Sequence, residues 1–86
     1  MVDIAKRLPG STVTHNASDS ILINWNGLIC GARFQPRSNH WLVVIHDVRG
    51  CDLDTAEVLE SVAYSRDEAI EETCRLAQAV VDESGA

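Results

Sequence analysis

The stretch ILINWNGLICGARF, Ile21 to Phe34, constrains the fold more than any other part of the chain. Two apolar runs flank Asn26-Gly27, the dipeptide best suited to a two-residue type I′ turn, because both central residues there need positive φ. Such a turn fixes the register, with Trp25 facing Leu28, Ile23 facing Cys30 and Ile21 facing Ala32. Side chains alternate along a strand, so Ile21, Ile23, Trp25, Leu28, Cys30, Ala32 and Phe34 share one almost wholly apolar face. The other face carries Leu22, Asn24, Ile29, Gly31, Arg33 and Gln35. A slip of one residue would scramble this sorting.

After the turn residues PRSNH, the run WLVVIH (41–46) reads as a third strand, apolar on both sides as expected of a central strand. The run AEVLESVAY (56–64) fits two descriptions. As a helix it places Val58, Leu59 and Val62 together; as a strand it places Val58, Val62 and Tyr64 on one face with Glu60. We favour the strand, because a β-rich run ending in an aromatic commonly precedes a capped helix. Ser65-Arg66-Asp67-Glu68 is a capping box, with Ser65 as N-cap and Glu68 as the reciprocal group at N3. At 100° per residue, Ala69, Ile70, Thr73, Cys74, Leu76, Ala77, Val80 and Val81 fall in one arc of the helix that follows. Before the hairpin, MVDIAKRLPG suggests a helical turn closed by Pro9-Gly10. STVTHNASDS reads as loop, with a short edge strand around Val13 as the alternative.

The apolar stripe of the last helix and the apolar face of the hairpin each need covering. The economical arrangement is an α+β domain, an antiparallel meander of three or four strands with the C-terminal helix laid on one face. At 86 residues the chain reads as one domain (1–86), with an arm at 1–19, the meander at 20–64 and the helix at 65–83. The aromatic residues are only 5% of the chain, which leaves aliphatic side chains to fill the core.

Three widely spaced cysteines, Cys30, Cys51 and Cys74, do not suggest a disulfide framework. No apolar run reaches the roughly 18 residues of a membrane span, and no basic-then-apolar leader opens the sequence. A cytoplasmic location is the expectation. The formal net charge of −6 is unevenly spread. Residues 1–46 carry two acids against four basic residues, whereas residues 47–86 carry eleven acids against three arginines. The back half therefore repels nucleic acid and acidic membranes and attracts basic partners.

Little in the sequence supports catalysis. His15, His40, His46 and the cysteines lack the close ligand pairs of a zinc site, so no metal or other cofactor is expected. Asp47, Asp52, Asp54 and Glu57 lack the ligand order of a calcium loop and read as solvated carboxylates. Cys51 stands beside Asp52 and Asp54, which disfavour a thiolate, and is not expected to be a nucleophile. No phosphate loop, nucleophile elbow or H-E-x-x-H motif occurs. The expectation is a protein without enzymatic activity and without catalytic residues.

The strands-then-helix order resembles the back part of a double-stranded-RNA-binding domain. In SRDEA (Ser65 to Ala69), however, Asp67 and Glu68 stand where that family has basic residues, so nucleic acid is an unfavoured partner. The same order of elements over about the last forty residues resembles the HicB antitoxin fold, which implies a regulatory subunit that binds a toxin. By size and charge the chain is similar to anti-CRISPR inhibitors.

The leading expectation is thus a small acidic interaction module, an inhibitor or regulator that occupies a basic surface of another protein. Asp52, Asp54, Glu57, Glu60, Glu68, Glu71, Glu72 and Arg75 are its candidate contact residues. Leu22, Ile29 and one row of the third strand form a second candidate surface for a partner or a second copy. That row is either Leu42 and Val44 or Trp41, Val43 and Ile45, and we favour Trp41 alongside Leu22 and Ile29. A nucleic-acid reader using Arg33, Gln35 and Arg37 ranks behind both protein-binding readings.

Overall fold

The computed structural model describes residues 4–49 and 57–84. The order of elements is α1 (Ile4–Arg7), β1 (Thr12–Ala17), β2 (Ser20–Trp25), β3 (Leu28–Gln35), β4 (His40–Asp47), β5 (Glu57–Ala63) and α2 (Arg66–Ser84). The strands form one antiparallel sheet in sequence order, β1-β2-β3-β4-β5. Helix α2 lies across one face, against β3, β4 and β5. The α+β meander is as expected, with five strands instead of three or four.

The hairpin forms in the register its turn dictates. Asn26 and Gly27 have φ of 50° and 78°, the type I′ signature, and Trp25 faces Leu28. The register continues through Phe34↔Trp41, Ala32↔Val43 and Cys30↔Ile45 into β4, and from there through Ile45↔Leu59 into β5. Residues 57–63 are therefore a strand. Ile21, Ile23, Leu28, Cys30, Ala32, Trp41, Val43, Ile45 and Ala63 line the inner face of the sheet, and Ala69, Ile70, Thr73, Cys74 and Ala77 meet them from α2. Each fully buried Ile, Leu or Val contributes about 1.5–3 kcal/mol relative to an exposed one. The Phe34 and Trp41 rings meet at a tilt, centroids 5.9 Å apart. Thr73, the one buried polar residue among those described, turns its hydroxyl onto the Ala69 carbonyl at 2.7 Å.

The helix start follows the capping box with one change. The Glu68 backbone N–H donates to Ser65 Oγ at 3.1 Å. The Glu68 carboxylate, however, accepts from the Tyr64 backbone N–H at 2.8 Å, one residue before the cap. The box thus seals the junction of β5 with α2.

Residues read as a loop form β1. Its register to β2 shifts between Val13 and His15, so Thr14 is the extra residue of a bulge. Were Thr14 kept in register opposite Leu22, His15 would stand opposite Ile21 on the inner face. The bulge instead sets it opposite Leu22 on the outer one. The segment before β1 closes the end of the core: Leu8 is fully buried, Trp25 Nε1 donates to the Pro9 carbonyl at 2.9 Å, and Gln78 donates to the Arg7 carbonyl at 2.6 Å. The described part of the arm therefore lies at the helix side or the sheet edge, with His15 and Asp19 at the margin of the outer face.

Candidate functional site

The register that seals one face of the sheet sends the alternate residues to the other. On this outer face stand Leu22 and Asn24 of β2, Ile29, Gly31, Arg33 and Gln35 of β3, Leu42, Val44 and His46 of β4, and Val58, Glu60 and Val62 of β5. No described element packs over them. Leu22, Val58 and Val62 keep 41%, 47% and 45% of their surface exposed, while Ile29, Leu42 and Val44 are half-buried by their neighbours in the sheet.

The centre of this face is a shallow trough of about 580 Å³, floored by Leu22, Ile29, Gly31, Leu42 and Val44. Gly31 keeps it open, since a Cβ there would come within 3.0 Å of Leu22 Cδ2. His15, Ser20, Arg33, Gln35 and His46 supply polar groups around it. His15 Nε2 and Ser20 Oγ are 2.9 Å apart and hydrogen-bonded. His46 Nδ1 is buried and has no hydrogen-bond partner among the described residues, a demand worth about 1–3 kcal/mol that an incoming polar group would meet. None of the described aromatic rings lies in the trough, for Trp25, Phe34 and Trp41 belong to the inner face. The stacking platform on which single-stranded nucleic acid is usually read is therefore missing from it. Arg33 and Gln35 reach its rim, while Arg37 sits in the exposed turn between β3 and β4.

Trp41 corrects the sequence-based assignment. It pairs with Phe34 on the inner face and is 6% exposed, so the outer row of β4 is Leu42 and Val44. The four-residue turn at 36–39 sets this phase, with Asn39 at φ 53°. Leu22 and Ile29 do lie on the outer face.

The candidate acidic residues separate into groups. Asp52 and Asp54 lie outside the described residues, as does Cys51. On α2, much of the charge is answered within the chain: Glu68 caps the helix, Glu71 pairs with Arg7, and Glu72 pairs with Arg75 and accepts from Ser61 Oγ at 3.0 Å. Arg75 holds the Glu72 carboxyl below its ordinary value, with the Ser61 hydroxyl acting the same way and burial opposing both. Arg66 ties the start of α2 to the Asn16 side chain on β1. Glu57 and Glu60 differ. Both are exposed on β5, with Glu57 on the helix side and Glu60 on the outer face, and neither has an ion pair among the described residues.

Asp47 and Arg49 form a two-pronged pair, both contacts at 2.9 Å, which holds the Asp47 carboxyl below its usual range. The Arg49 stem lies over the hairpin turn, so a Cβ at Gly27 would meet its Cγ at 2.6 Å. Cys30 is buried, and that burial, with nearby Cys74 adding to it, pushes its thiol up to about 12. Burial raises Cys74 as well, so both sulfurs stay protonated and serve as small apolar side chains. Among the described residues, no three His, Cys, Asp or Glu side chains converge to hold a metal ion. None of the described helices is long and apolar enough to cross a membrane.

No family model matches the sequence, and neither the curated proteins nor the solved structures offer a match.

Proposed function

We propose that this protein is a non-enzymatic, cytoplasmic interaction module that docks on another protein through the outer face of its sheet, as an inhibitor or regulator of that partner. The observation that carries this reading is the uncovered apolar row Leu22, Ile29, Leu42, Val44, Val58 and Val62 in so small a domain. A face of this kind commonly marks a contact surface. Its polar rim and its unmet hydrogen-bonding group at His46 suit a protein surface better than a lipid one. The net charge of −6 and the exposed Glu57 and Glu60 favour a basic partner. Two buried free thiols suit a reducing compartment.

The test is recovery of a partner from lysate of the source cells by the tagged protein and by a Leu22→Lys/Leu42→Lys variant. Both side chains face outward, so circular dichroism should show the fold retained. The expected result is a stoichiometric protein retained by the parent and lost by the variant. Equal recovery by both, or none by either, contradicts docking through this face.

A further inference from the structure

The two edges of the sheet are built differently. At one, β1 carries a bulge at Thr14 and mostly polar side chains, devices that discourage another strand from pairing there. At the other, β5 runs for seven residues in unbroken register with β4, and has no proline, lysine or bulge. Val58, Leu59 and Val62 are exposed along it. A long regular edge with exposed β-branched residues offers a free row of backbone donors and acceptors to an extended chain.

We propose that this edge receives an extended segment of the partner protein as a sixth strand, and that the segment carries two basic residues among apolar ones. The proposal rests on the docking function above and specifies the chemistry of the partner. Glu57 and Glu60 choose the occupant, because they are exposed on β5 and have no cation beside them among the described residues. Directly opposite residues in adjacent strands touch, so an antiparallel segment carries basic side chains across from Glu60 and Glu57. It carries apolar ones across from Val62, Leu59 and Val58. Read along the incoming strand, the pattern is apolar, any, basic, apolar, apolar, basic. A second copy fits less well, since it brings the same two carboxylates and another net charge of −6 to the seam.

The test is an NMR titration of the full chain with the peptide Thr-Val-Thr-Lys-Val-Val-Lys and with the same peptide bearing Glu for both Lys. The expected result is a set of amide shifts centred on 57–63, and binding about tenfold tighter for the lysine peptide at low salt. Glu60→Lys should abolish the preference, because each peptide then has one matched and one repelling pair. Shifts centred on Gly31 and Val44, no binding of either peptide, or a preference that Glu60→Lys leaves unchanged would each overturn the proposal. So would β5 shifts that appear on raising the protein concentration alone, because a second copy would then hold the edge. Loss of partner recovery in Leu22→Lys/Leu42→Lys with no peptide response at β5 removes the strand proposal and leaves the docking function standing.

Discussion

Leu22 and Ile23 are neighbours in one strand and nearly identical in composition. Ile23 is fully buried in the core, while Leu22 keeps 41% of its surface in water. The same division runs across the sheet through Val43 and Val44 and through Leu28 and Ile29. One face is filled to closure by α2, Leu8 and the inner rows, and the other presents aliphatic side chains with nothing described above them. Apolar content alone therefore does not identify a core here. The inner rows hold the domain together, and the outer rows are free to be spent on a contact outside it.

The sharpest break would come from core truncation. Ile23→Ala should cost about 2–4 kcal/mol, a large share of what so small a domain has, whereas Leu22→Ala should cost under about 1 kcal/mol. Urea unfolding of the two variants reads this directly. Equal losses would erase the distinction between the faces.

Two glycines on β3 and its turn give the next contrast. Gly27 needs φ of 78° and lies beneath Arg49, so Gly27→Ala should lose about 1–2 kcal/mol. Gly31 has ordinary strand φ, and an added methyl meets the movable end of Leu22 at 3.0 Å and the Ile21 carbonyl oxygen at 3.4 Å. Gly31→Ala should change thermal stability by less than about 0.5 kcal/mol while weakening partner recovery by filling the trough.

Removal of the helix cap comes next in size. Ser65→Ala should cost about 1 kcal/mol, seen as a lower urea midpoint at unchanged slope. The smallest effect is electrostatic. Glu72 has a folded-state pKa below its ordinary 4.5, so its contribution is present above that value and is lost as pH falls through the depressed one. Asp47 acts in the same direction. Melting temperature should therefore drop on the acid side, and Glu72→Gln should flatten that slope slightly by lowering the melting temperature at neutral pH while leaving it nearly unchanged in acid. A slope unchanged by Glu72→Gln would show that the pair with Arg75 is not kept in solution.

How much of this was legible follows from how local each signal is. The Asn26-Gly27 turn, the alternation around it and the Ser65 cap act within a few residues, and the hairpin register and the helix stripe were readable from them. β1 was not, because TVTHNA is polar, its alternation is broken by the Thr14 bulge, and its stability comes from pairing with β2. The outer face was half legible. Leu22 and Ile29 followed from the hairpin, but the choice between Trp41 and the Leu42–Val44 row waited on the turn at 36–39. The acidic residues of α2 were the least legible, since Glu71 is answered by Arg7 from the opposite end of the chain. Only the folded topology separates such satisfied carboxylates from the open pair on β5.

The most direct test of the two-faced sheet is carbene footprinting of the dilute, monomeric protein, read residue by residue. Leu22, Val58 and Val62 should be labelled heavily, and Ile23, Val43 and Leu28 should be labelled only after unfolding. Protection of Leu22 and Val62 to the level of Ile23, or labelling of Val43 in the native protein, would contradict the account.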